Sequence, residues 1–305
     1  MMSRFYVGVT DNQWYQFLSE KRPDEVNFWR PGKFQQVHYI KPYDLFLFKL
    51  HSPLDYIAGG GFFARHTPLP LSLAWESFGE KNGVASLNDL RTAIQKKRRA
   101  QERDPVIGCT LLVEPFFFSQ KDWIPMDDKW NKNIVTGKGY DSQEEEGQWI
   151  WKNVMERLRF TTVSQTDGIV QDVPFALYET RHRLGQGTFR VLVTDAYQRR
   201  CAMTGEKTLP VLEAAHIKPV SLSGQHEVSN GLLLRSDLHI LFDKGYLTVD
   251  RSHTINVSRR IKEEYENGRD YYALHGKKLS VLPKHIEEYP SEIFLRWHNE
   301  NIYCG

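Results

Sequence analysis

The sequence predicts an α+β protein in two parts: a mixed sheet with helices, followed by a smaller domain rich in histidine. Three observations lead there. A length of 305 residues suits two ordinary domains better than one. Strand-like and helix-like runs follow one another through the first half without the regular alternation of a βαβ protein. Residue types also divide: of the 11 histidines only His38, His51 and His66 precede residue 160, whereas of the 8 tryptophans only Trp297 follows it.

Taken in order, Phe5 to Thr10 reads as a strand and Asn12 to Glu20 as a helix. Leu45 to Leu50 and Tyr56 to Phe63 read as two strands flanking a turn at His51 to Asp55, and Val106 to Phe118 as a further strand. Helices are expected at Leu71 to Phe78, Leu87 to Arg99 and Trp149 to Arg157. The triplet Gly59 to Gly61 inside a strand predicts a bulge or a close approach of another backbone; no GKS or GKT follows it, so it is not a phosphate loop. Thr161 to Gly187 mixes Thr, Ser, Gln, Asp and Gly around Pro174 and reads as a connection. The expected domains are residues 1–165 and 181–305, with a linker over 166–180.

Composition narrows the class. Hydrophobic residues make up 40% and charged residues 26% of the chain, and mean hydropathy is −0.53; these values exclude a disordered tail-rich chain and a membrane-embedded one. Cys109, Cys201 and Cys304 are far apart and odd in number, so neither a disulfide framework nor a CxxC zinc pair is present, and Cys201 in C-A-M-T reads as a buried apolar thiol. Asp11 interrupts the first apolar run before a signal-peptide core forms, and no run is long enough to span a bilayer. The expectation is a reducing, cytoplasmic setting with no membrane partner. With 40 Lys plus Arg against 38 Asp plus Glu, net charge argues neither for nor against nucleic acid.

The second half carries the chemistry. Leu212 to Pro219 read L-E-A-A-H-I-K-P, and Asn230 to Gly245 read N-G-L-L-L-R-S-D-L-H-I-L-F-D-K-G. His216, Asn230 and His239 stand 14 and then 9 residues apart. This pattern resembles the HNH nuclease motif, whose ββα-metal fold clamps a divalent cation between two short antiparallel strands and one helix. The words R-L-G-Q-G-T-F-R (Arg183 to Arg190), A-Y-Q-R-R-C-A-M-T-G (Ala196 to Gly205) and L-R-W-H (Leu295 to His298) are similar to one large HNH subgroup, so the resemblance covers most of residues 180–300.

Phosphodiester hydrolysis needs a base to take a proton from water and a cation to offset charge developing on the phosphoryl oxygens. The resemblance implies His216 as base and Asn230 as the residue that pins the loop between the strands. It implies His239 as metal ligand, on a helix of roughly Ser236 to Asp243, with Mg2+ or Mn2+ as cofactor. Many HNH enzymes carry a second ligand immediately before the base, where this chain has Ala215. The cation then has one protein ligand plus phosphate oxygens and waters, or recruits Asp243 one helical turn beyond His239; a solvated charge at the helix end is the plainer reading of Asp243. Arg181 to Arg200 holds five arginines against Asp195, and Arg190, Arg199 and Arg200 are candidates for phosphate contacts.

In the first half, S-R-F-Y-V-G-V-T-D (Ser3 to Asp11), V-N-F-W-R-P-G (Val26 to Gly32), Y-D-L-F-L-F-K-L (Tyr43 to Leu50) and Y-I-A-G-G-G-F-F-A-R (Tyr56 to Arg65) occur in an order that resembles the EVE branch of the PUA-like superfamily. That resemblance implies a small β-barrel with helices, related to the YTH and SRA readers, which holds a flipped modified base in an aromatic cage. A base presents two π-faces and a polar edge; Trp29 and Trp75 are the candidate walls and Asn27 a candidate edge contact. The basic run within Arg91 to Arg103 reads as a solvated helix face or as a track along a phosphate backbone.

Together the resemblances imply a modification-dependent DNA endonuclease for defence against foreign DNA. Its partner would be double-stranded DNA carrying modified cytosine, and cutting both strands implies a homodimer or two sequential nicks. A decayed HNH protein acting as a reader, and a nuclease indifferent to modified bases, are the alternatives.

Overall fold

The computed structural model describes residues 4–32, 39–98, 102–126, 129–163 and 184–305. The expected linker, with Arg181 and Arg183, lies outside the described residues. The chain divides into two compact units, Met1–Thr188 and Phe189–Gly305.

The first unit is built on β1 (Arg4–Thr10), β2 (Glu25–Arg30), β3 (Leu45–Leu50), β4 (Tyr56–Pro70), β5 (Val106–Phe117), β6 (Ile124–Pro125) and β7 (Gly137–Asp141). Its strand order is β2-β5-β4-β3-β1-β7, with β6 paired to β4. β1 runs parallel to β3, and the other pairs are antiparallel. The class is therefore α+β with a large mixed sheet, as expected. The closed barrel implied by the PUA-like resemblance is corrected: β2 bonds only to β5 and β7 only to β1, so among the described residues no sheet closes.

Helices α1 (Asn12–Lys21), α2 (Leu71–Phe78), α3 (Leu87–Lys97) and α4 (Glu145–Val163) accompany the sheet. α1 starts where it does because the Asp11 carboxylate accepts hydrogen bonds from the Gln13 and Trp14 amides. Ser86 caps α3 in the same way through the Asp89 amide. The glycine triplet does what its position in β4 requires. A Cβ on Gly59 would lie 2.2 Å from the Phe116 carbonyl oxygen, and the register slips between Gly60 and Phe62.

Much of the aromatic enrichment is core. The Trp14 ring meets Phe28 and Phe48 edge-on, at centroid distances of 5.5 and 5.3 Å, and is 6% exposed. Trp123 packs on Tyr15 and Tyr56. Trp130 is buried with the Lys49 ammonium 5.1 Å from its ring, and Lys49 is itself paired with Asp55.

The second unit contains α5 (Gln186–Ala196, of which Phe189 onward belongs to this unit), the hairpin β8 (Leu212–His216) and β9 (Gly231–Arg235), and α6 (Ser236–Asp243) directly after β9. A second hairpin, β10 (Leu247–Val249) with β11 (Ile255–Val257), follows, then the short helices α7 (Arg260–Tyr265) and α8 (Arg269–Tyr272) and the last helix α9 (Glu292–Asn301). Leu232, Leu233 and Leu234 are all fully buried, so β9 is covered on both faces. The C-A-M-T-G word is a tight turn in which the Cys201 carbonyl accepts from the Gly205 amide, and the Ala202 amide donates to Leu233. Cys201 is buried in this core.

The closing L-R-W-H word also has a structural cause. His298 on α9 stacks on Phe242 of α6 at 3.8 Å between ring centroids. Its Nε2 donates to the Phe242 carbonyl at 3.1 Å, and its Nδ1 accepts from the Thr248 hydroxyl at 2.9 Å. Burial pushes its pKa down to about 4. The folded protein binds this proton more weakly than the unfolded chain. The stability it contributes is therefore present above the ordinary histidine range and is lost as pH falls through about 4. His298→Ala is expected to destabilise the second unit by about 2–4 kcal/mol, read from urea unfolding, and to flatten that acid limb.

Candidate active site

The β8–β9 hairpin and α6 bring the three predicted motif residues into one place. His216 is the last residue of β8 and pairs with Gly231, the first of β9. Asn230 precedes that glycine and is completely buried. Its Oδ1 accepts from the Lys218 amide at 2.9 Å, and its Nδ2 donates to the carbonyls of Lys218 and Gln225, each at 2.9 Å. One side chain thereby closes the loop between the strands at two points. The following glycine is required by packing: a Cβ on Gly231 would sit 2.5 Å from Val193 and 3.2 Å from Phe189 of α5. The Tyr197 hydroxyl, at the end of the same helix, donates to the Gly231 carbonyl at 3.1 Å.

The His216 ring lies flat on Phe189, with centroids 3.9 Å apart and planes 9° from parallel. Its Nε2 is 3.0 Å from Nδ1 of His226, in the loop that Asn230 clamps. Burial first, and then the neighbouring His226 and His239, push its pKa down to about 4. His216 is thus neutral and able to accept a proton throughout the physiological range.

His239 projects from α6 with both ring nitrogens facing carboxylates. Glu213 Oε2 on β8 is 2.7 Å from Nδ1, and Asp243 Oδ2 is 3.4 Å from Nε2. Burial holds the Asp243 carboxyl above its ordinary range; the Glu213 charge adds to that rise and His239 opposes it. The two carboxylates meet opposite nitrogens of the ring, so a divalent cation on Nε2 would have Asp243 beside it while Glu213 holds the Nδ1–H and fixes the ring's orientation. Among the described residues no cluster of three or more His, Cys, Asp or Glu side chains is gathered tightly enough to hold a metal unaided. Ala215 is fully buried opposite Leu232, so its position faces the core. Glu213, two residues earlier in β8, reaches His239 instead.

Two residues of this cluster, Glu213 and His226, were missed by sequence reasoning. Both lie inside or beside the motif words, but their partners come from β8 against α6 and from the folded loop, which spacing does not reveal.

The other predicted residues are more dispersed. The Arg199 guanidinium is 3.5 Å from Asp195, and Arg190 is half-buried on α5. The Arg200 side chain has no charged partner among the described residues. In the first unit, Trp29 donates through Nε1 to the Asn82 carbonyl at 2.8 Å and carries the Lys97 ammonium 5.5 Å from its ring centre. Trp75, on α2, is half-buried, and among the described residues its ring has neither an aromatic nor a cationic neighbour. Asn27 is completely buried; its Nδ2 donates to Asn82 Oδ1 at 2.9 Å, while its Oδ1 has no partner among the described residues. The structure therefore gives Asn27 a place in the support of Asn82. An open groove of about 1110 Å³ also runs along α4, lined by Trp149, Trp151, Lys129, Lys152 and Glu156 among others.

Comparison with known proteins places this geometry. Residues 201–250 match the family model described as HNH endonuclease. No curated protein matches the chain. Among solved structures, a "Modification dependent TagI restriction endonuclease" aligns over 92% of this chain and 75% of its own, at 14% identity and a TM-score of 0.28. No helix among the described residues is long and apolar enough to cross a membrane. The matched segment includes His216, Asn230 and His239 on the β8–β9–α6 unit, and the protein is accordingly a nuclease carrying an HNH endonuclease domain.

Proposed function

We propose that this protein is a modification-dependent DNA endonuclease in which the first unit reads a modified cytosine and the HNH site hydrolyses phosphodiesters. The observation that carries the nuclease half is the assembly of a neutral, stacked His216, a loop clamped by Asn230, and His239 flanked by Glu213 and Asp243.

His216 takes the proton of a water aligned with the scissile phosphorus. The arriving phosphate carries negative charge, which opposes the depression of the His216 pKa and strengthens it as a base. His239 through Nε2, with Asp243 beside it, would hold the divalent cation together with phosphate oxygens and waters, and Glu213 on Nδ1 would orient the ring. When bound, that cation offsets charge on the phosphoryl and leaving oxygens. Asn230 keeps the loop, and with it the base, in position. Arg200, Arg190 and Arg199 supply forks for neighbouring phosphates. Attack by water with departure of O3′ leaves 5′-phosphate and 3′-hydroxyl ends.

The reader half rests on the EVE-like words and on Trp29 and Trp75, two of the six half-buried indoles, Trp14 and Trp130 being core. Trp29 and Trp75 are the proposed walls; Lys97, which lies over the Trp29 ring and pairs with Asp11, would swing off that face as a base stacks on it. Each stacked ring contributes about 1–3 kcal/mol. Trp29→Ala is therefore expected to weaken binding of a duplex carrying 5-methylcytosine by roughly tenfold or more, while binding of the unmodified duplex stays within twofold. Competition binding of the two duplexes reads this, and equal losses on both would place the pocket elsewhere.

A further inference from the structure

Resting on the proposed role of His216 as base, the geometry points to His226 as the positioning residue that selects which nitrogen of His216 accepts the proton. The two imidazoles meet through His216 Nε2 and His226 Nδ1 at 3.0 Å, with ring planes 63° apart. A hydrogen bond of that length needs one N–H and one lone pair. If His226 donates, His216 must carry its own hydrogen on Nδ1, and no basic lone pair remains. If His216 donates from Nε2, its Nδ1 holds the lone pair. Only the second arrangement gives a base, and it makes Nδ1 the reactive atom. Among the described residues Nδ1 of His216 has no hydrogen-bond partner, as a nitrogen awaiting water requires.

His226 is built to hold this bond. The residue before it, Gln225, gives its carbonyl to Asn230 Nδ2, so the clamp that closes the loop also places His226. Phe189 stacks on His216 and leans against His226, with centroids 5.6 Å apart, which limits rotation of either ring. The bond also gains strength as the reaction proceeds. Water breaks an O–H bond, the proton passes to His216 Nδ1, the oxygen forms its bond to phosphorus as the P–O3′ bond breaks, and O3′ leaves with the bonding pair and takes a proton from solvent water. At that moment His216 is an imidazolium, and its Nε2–H bond to neutral His226 becomes charge-assisted. An interaction stronger in the transition state than before it accelerates the step.

The test uses the full chain with His226→Ala and His226→Asn. The asparagine Oδ1 stands near the position of the histidine Nδ1 and can accept from Nε2–H. Long-range proton–nitrogen NMR of the His216 ring is expected to show the Nε2–H tautomer in the wild type and in His226→Asn, and a tautomer mixture in His226→Ala. Single-turnover cleavage is expected to fall about 10–100-fold in His226→Ala with KM for duplex unchanged, and to recover most of that loss in His226→Asn. An Nδ1–H tautomer in the wild type, or equal impairment of the two variants, would overturn the assignment. The wild-type spectrum reads the tautomer without any cleavage, so failure of the nuclease reading and failure of this one are separable.

Discussion

His216→Ala is expected to lower the rate of phosphodiester cleavage by about 10²–10⁴, with the unfolding midpoint of the second unit little changed. The separation of these effects follows from where the ring sits. His216 ends β8, and its backbone pairing to Gly231 does not depend on the side chain. The buried scaffold beneath it, Ala215, Leu232, Leu233 and Leu234, is untouched by the substitution. What is lost is the stack on Phe189 and the proton-accepting nitrogen. Because burial and its histidine neighbours hold the pKa down to about 4 in the free protein, the base limb of kcat/KM should lie there, with kcat/KM falling as pH drops through that value, and the limb of kcat should lie higher because the bound phosphate opposes the depression. His216→Ala should remove that limb along with the rate. A variant that retained metal-dependent cleavage would move the base to another residue.

The second large effect concerns the cation. His239→Ala is expected to lower cleavage by at least about 10², and Glu213→Gln to weaken metal binding by about 10–100-fold. The structure gives the reason for the difference. His239 stands between two carboxylates, so its removal takes away the central donor, whereas Glu213→Gln keeps the shape and removes one charge. Titration of Mn2+ by its paramagnetic signal reads the affinity without cleavage. Chelation with EDTA should stop cleavage, and excess Mg2+ should restore it. Equal Mn2+ affinity in wild type and His239→Ala would exclude this cluster as the cation site.

How far the sequence spoke for itself differs between the two units. α6 spans the predicted Ser236 to Asp243 because L-L-L-R-S-D reads both as the end of a buried strand and as the start of a helix. α2 and β3 also fall on their predicted spans. β2 was not read as a strand because E-V-N-F-W-R does not alternate; its first four residues are all buried, so period two is erased. β7, G-K-G-Y-D, is an edge strand with two glycines and carries little strand propensity. Of the tryptophans in the first half, only Trp29 and Trp75 were read as candidate walls, and composition did not show that Trp14 and Trp130 are core residues, because burial depends on neighbours. The motif histidines were legible because their spacing mirrors one hairpin and one helix. Glu213 and His226 were not, since each meets its partner only after the loop and helix have folded.

The most direct test of a modification-dependent nuclease is the cleavage of matched plasmids, one carrying 5-methylcytosine or 5-hydroxymethylcytosine and one with unmodified cytosine, in Mg2+ or Mn2+. The wild type should cut the modified plasmid at least about tenfold faster, and Trp29→Ala should bring the two rates together by slowing the first. Equal cutting of both plasmids by the wild-type protein would contradict the account.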